Sequence, residues 1–224
     1  LALATYGDAL TGAEALQTAV AALISTPSEE TLAAARDAWL AARVPYMQSE
    51  AFRFANPIVD DWEGKVNSWP LDEGLIDYVS GDYGGPTDEN PYAVLNVVGT
   101  PEFKLGSADI DASEITPELI TTVLQEAEGI ETNVAMGYHA VEFLLWGQDL
   151  NGTGPGNGDR PWTDYASGDA CTGGNCDRRA AYLSAAADQL VTDLHEIVDA
   201  WSEGGDARAV VETDPDKTIQ AMLT

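Results

Sequence analysis

His139 and Glu142 stand three residues apart in the run Met136-Gly137-Tyr138-His139-Ala140-Val141-Glu142-Phe143-Leu144-Leu145-Trp146. On a helix that spacing puts both side chains on one face, about a turn apart, where they can reach one ion or one ligand. A neutral imidazole and a carboxylate suit zinc, iron or manganese. Gly137 is a poor helix former, and just before the pair it allows another backbone or a ligand to come close. The same two residues also suit a structural hydrogen bond inside an aromatic-rich core. Spacing alone does not separate these readings.

A second polar set recurs at steps of three and four: Trp39, Arg43, Tyr46, Glu50 and Arg53. Buried charges are costly unless paired or coordinated. If Pro45 keeps the register, the three charged residues are expected inside. There they form an Arg43–Glu50–Arg53 ion network, or Glu50 lines a polar site whose charge the arginines set. Other constellations are poorer. His195-Glu196 lacks the second histidine of a zincin, and it falls on the polar side of its helix. Asp149-x-Asn151-x-Thr153-Gly154 begins like a calcium loop, but Arg160 stands where a glutamate should close it. The sequence has no Gly-rich phosphate loop, Gly-x-Ser-x-Gly elbow or Cys–His nucleophile pair.

Cys171 and Cys176 flank a spacer of small residues, with no further thiols or histidine pair nearby for a metal. A local disulfide, and with it an oxidising compartment, is one reading. A reduced, exposed pair is the other.

Four helical stretches must position these residues. The first carries an apolar stripe from Leu3 through Leu10, Leu16 and Val20 to Ile24. Thr26-Pro27-Ser28-Glu29 predicts the start of the second, with Thr26 as cap, Pro27 at the first helical position and Glu29 closing a capping box. The third is predicted from Thr116-Pro117 to Gly147, with Gly129 either kinking or dividing it. The fourth runs from about Arg178 to Trp201. Such stripes cannot bury themselves alone, and three or four helices packed antiparallel make a bundle. The expected fold is all-α, an up-down four-helix type, interrupted by long irregular stretches over 56–113 and 148–177. Short helical turns are expected near 71–79, and the second stretch reads as mobile.

The chain has 38 acidic and 10 basic residues, a net charge of −28. That field disfavours nucleic acid and anionic lipid and draws cations, although most of the charge reads as solvation. No run approaches the length of a membrane span. Both ends read as cut: Leu1-Ala2-Leu3 carries no start signal, any export signal reads as already removed, and Lys217 to Thr224 resembles the opening of another helix.

Four segments taken in order resemble the imelysin-like family. They are Gly137 to Gly147 with its Gly-x-His-x-x-Glu, Arg43-Val44-Pro45-Tyr46-Met47-Gln48-Ser49-Glu50-Ala51-Phe52-Arg53-Phe54, Asn67-Ser68-Trp69-Pro70-Leu71-Asp72-Glu73, and Cys171 to Arg179. The resemblance implies two helical bundles with the motif near their junction. Residues 1–224 would then be one helical domain, the N-terminal portion of a longer protein. It implies an iron-regulated protein of the bacterial periplasm or outer envelope, taking up iron or a small iron-containing ligand and meeting other envelope iron-uptake proteins. It places His139 and Glu142 as ligands, with Glu50 and Asp72 completing an oxygen-rich shell. Arg43, Ser49, Arg53, Gly137 and Tyr138 would line the site. The rival functions are a metal-dependent peptidase with Glu142 as base, and a binding module that holds no metal.

Overall fold

The computed structural model describes residues 1–216, 218 and 220. Two long helices, α1 (Ala2–Ser25) and α2 (Glu29–Met47), form an antiparallel hairpin. Ser28, rather than Thr26, starts α2. Its backbone is extended, and its hydroxyl accepts from the Thr31 amide while Thr31 returns the bond to the Ser28 amide. Thr26 instead closes α1, its N–H donating to the Ala22 carbonyl at 3.0 Å.

The long helix α6 (Cys176–Trp201) packs on α1, and the shorter α5 (Gly137–Trp146) packs between α6 and α2. Tyr6, Leu16 and Leu23 of α1, Trp39 of α2 and Leu183, Leu190 and Leu194 of α6 supply the common core. At one end Tyr6 packs edge-on to Trp62 with centroids 5.7 Å apart, and Phe52 and Trp201 complete the cluster. The all-α bundle expected from the stripes is the architecture found.

The first irregular stretch contains more structure than its composition suggests. Helix α3 (Pro57–Asn67) opens with proline at its first position and buries Val59, Trp62 and Val66, one side of three turns. It is followed by the cis Trp69–Pro70 bond and the single turn α4 (Glu73–Ile76), which lies within the expected 71–79 window. Strands β1 (Glu102–Leu105) and β2 (Ala108–Asp111) pair antiparallel, Phe103 opposite Ile110, and turn Phe103 and Leu105 to the core. Helix α7 (Asp206–Thr213) is joined to α3 by Asn56, whose amide donates to the Ala207 carbonyl.

The predicted third helix is divided. Residues 119–124 form π-helical turns, Glu126 and Glu128 take left-handed backbone conformations, and the helix proper begins only at Gly137. The second irregular stretch is held rather than loose over its later half. Arg160 and Asp164 are buried there, and Arg160 donates to Asp77 and Asp164 at 2.7 and 3.0 Å. Arg179 of α6 reaches the same Asp77. Cys171 and Cys176 form a disulfide at the start of α6. The further helix expected from Lys217 falls outside the described residues, except for Thr218 and Gln220. Among the described residues no helix is long and apolar enough to cross a membrane.

Candidate functional site

The site is built on the first turns of α5. Gly137 has φ +81°, and a Cβ there would lie 2.6 Å from the Val66 carbonyl oxygen, so the start of α5 abuts the end of α3 as only glycine permits. Tyr138 is fully buried. Its carbonyl accepts from the Trp39 indole at 2.9 Å, which ties α5 to α2. Arg43 lies 4.9 Å above the Tyr138 ring and 5.2 Å above Tyr46, and donates to Asn67 at 2.6 Å. Cation–π attraction and that amide hold the guanidinium half-buried. The phenol oxygens of Tyr46 and Tyr138 sit in a region so desolvated that neither ionises in the ordinary range.

His139 and Glu142 meet as their spacing predicts, Nδ1 to Oε2 at 3.0 Å. They form part of the wall of an open cavity of about 600 Å³ between α2 and α5, which Trp39, Trp69, Glu73 and Asp149 also line. Glu73 is the acid that sequence reading passed over. Burial, together with the nearby charges of Glu142 and Asp149, pushes its carboxyl up to about 7, with Arg160 opposing. The available signal was its place directly after Asp72 in the segment that enters α4.

The other expected residues lie elsewhere. Asp72 does not line this cavity; its carboxylate accepts from the Thr132 hydroxyl at 2.7 Å and from the Asn90 amide, pinning two loops. Glu50 does not line it either. The proline in the last turn of α2 is followed by helix termination at Met47 and a 3-10 turn, so Glu50 leaves the buried stripe and is 57% exposed, paired with Arg53 at 3.2 Å. Arg53 is a third exposed. Of the expected internal trio, Arg43 alone faces the aromatic core. Ser49 is buried, but its hydroxyl is spent on the Tyr46 carbonyl. Asp149 accepts from the amide and side chain of Asn151, which makes a local turn, and Arg160 sits in the buried ion cluster instead of closing a calcium loop. His195 is exposed, 3.9 Å from Glu14.

Among the described residues no three His, Cys, Asp or Glu side chains converge closely enough to enclose a metal. The donors present, one imidazole and adjacent carboxylates, are of the type that iron accepts.

The family model for imelysin matches residues 2–224. The chain belongs to the imelysin family. Its fold is similar to that of a solved protein from Parabacteroides distasonis named, provisionally, as an iron-regulated protein A precursor. The similarity has a TM-score of 0.58 at 24% identity and covers all of this chain and 52% of that one. This imelysin chain thus spans about half the length of that structural relative. No curated protein matches it.

Proposed function

We propose that this imelysin-family chain binds iron, as the ion or as a small chelate, within an iron-uptake protein of the bacterial envelope. The observation that carries the reading is the pairing of His139 with Glu142 on the wall of an open cavity that Glu73 also lines. Nitrogen and oxygen donors around a space of that size suit a ferric or ferrous ion that arrives with some of its own ligands. The iron-regulated name of the structural relative supports the cargo, and the disulfide supports an oxidising compartment. The excess of acidic residues favours collecting cations. Other envelope iron-uptake proteins are the partners this reading calls for.

His139 and Glu142 would contact the cargo, and Glu73 would give up its proton to offset the incoming charge. Calorimetric titration of the full-length protein with iron should show binding that His139→Ala and Glu142→Ala both abolish. If those variants bind iron as the parent does, the reading fails. Peptide cleavage by the purified protein, lost in the same variants, would replace it with the metallopeptidase.

A further inference from the structure

The wall of the His139 cavity offers more flat apolar surface than metal donors. Glu142 takes up Nδ1 of His139 and leaves Nε2 as the ring nitrogen that can meet a ligand, the arrangement in which histidines commonly bind metals. Beyond that pair the cavity is faced by Trp39, Leu40, Trp69 and Trp146. Two of these rings are already engaged. Trp39 and Trp146 pack edge to face with centroids 5.4 Å apart, and the Arg36 guanidinium lies 5.6 Å over Trp146. Trp69 differs from both. It is 72% exposed, and among the described residues no other ring or guanidinium covers it. Leu40 lines the same cavity and is also exposed.

An exposed tryptophan on a loose segment carries no meaning by itself. This one is held from both sides. Before it, the Asn67 side-chain oxygen accepts from Arg43 at 2.6 Å, and the Ser68 hydroxyl donates to the Gly64 carbonyl at 2.6 Å. After it, the Asp72 amide donates to the Thr132 carbonyl at 2.8 Å. The indole thus stands as a fixed, uncovered platform, and flat rings meet such a face by offset stacking. The cavity, about 600 Å³, has the size that holds a small organic molecule rather than a single ion. Its charge narrows the class further. Asp37, Glu73, Glu142 and Asp149 bring four carboxyl groups to the wall. Arg36, the guanidinium among the lining residues, is committed to the Leu145 and Arg160 carbonyls. Such a wall disfavours an anionic complex and admits a neutral or cationic one.

We propose that the cargo of this site is an iron complex of a planar aromatic chelator, neutral or positively charged, with its ring stacked on Trp69 and an open position on its iron for His139 Nε2. The proposal rests on the iron reading above and narrows it from ion or chelate to chelate. Full-length protein is titrated anaerobically with ferrous ion alone and with its one-to-one complexes of bipyridine, of ethylenediamine and of bipyridine dicarboxylate. The bipyridine complex should bind at least about tenfold more tightly than the ethylenediamine complex, which has two nitrogen donors and the same charge but no ring. The dicarboxylate keeps the rings and reverses their charge, and should bind more weakly than bipyridine. Trp69→Leu keeps an apolar side chain and removes the ring. It should bring the bipyridine complex down to the ethylenediamine level, with ferrous-ion affinity and melting temperature unchanged. Trp69→Phe should retain most of the preference. Equal affinities for the bipyridine and ethylenediamine complexes, or a preference that survives in Trp69→Leu, would overturn this proposal and leave the iron reading standing. A parent protein that binds no iron species at all would overturn both.

Discussion

The Trp39 indole N–H donates to the Tyr138 carbonyl across 2.9 Å, joining α2 to the turn of α5 that carries His139. Trp39 also lines the His139 cavity, so one side chain both sets the position of the wall and forms part of it. Trp39→Phe keeps most of the ring and removes the donor. It should cost about 1 kcal/mol in denaturant unfolding, and weaken iron binding by loosening the first turn of α5. Unchanged stability would show that the Tyr138 carbonyl does not depend on this bond.

Gly137→Ala should be the more severe change. It places a side chain in left-handed backbone geometry and drives its Cβ against the Val66 carbonyl. Strain and overpacking together predict a loss of about 3 kcal/mol, read as a lower denaturation midpoint. A variant as stable as the parent would mean that α3 can retreat from α5.

Glu73 gives the site a pH dependence with a definite sign. Its folded carboxyl titrates at about 7 instead of 4.5, chiefly through burial. Between those values the folded state holds more protons than the unfolded chain, so this group's contribution to stability falls as pH rises through that window and is constant above it. A cation beside Glu142 favours the charged form. Iron binding should therefore release protons below pH 7, tighten as pH rises towards 7 and level off above it. Calorimetry in buffers of different ionisation enthalpy measures that release, and Glu73→Gln should remove it.

Glu50→Ala should change stability by less than about 0.5 kcal/mol, as expected for an exposed ion pair. The pair with Arg53 is solvated on both sides. A loss several times larger in thermal unfolding would place Glu50 back in the interior.

The helices were legible in the sequence because each carries an apolar stripe long enough to show its period: α1, α2 and α6 fall where Leu16, Trp39 and Leu190 place them. Helix α3 was not legible, since its buried face is only Val59, Trp62 and Val66 within a polar, proline-flanked stretch. The division before α5 runs through left-handed Glu126, Glu128 and Gly129: the glycine marks the break in the sequence, whereas the two glutamates give no warning of that conformation. At the site, His139 and Glu142 were legible because helical spacing is local. Glu73 reaches the same cavity through the turn after Pro70, and its neighbour Asp72 faces Thr132 instead. One position along a short turn decides which carboxylate enters the cavity, and no pattern in the sequence encodes that choice.

Among the described residues, five arginines are turned inward, buried or half-buried. Arg36 clasps the carbonyls of Leu145 and Arg160, and Arg178 those of Val97, Val98 and Ser113. Arg43, Arg160 and Arg179 sit among rings and carboxylates. These arginines act as internal fasteners, and the skin of the molecule is left with few cations, Lys65, Lys104 and Arg208 among them, against many carboxylates. Such a skin gathers a dense counterion atmosphere and keeps neighbouring copies apart in dilute buffer. Added monovalent salt screens that mutual repulsion over the roughly 8 Å Debye length of physiological solutions, while the fasteners beneath lie beyond its reach.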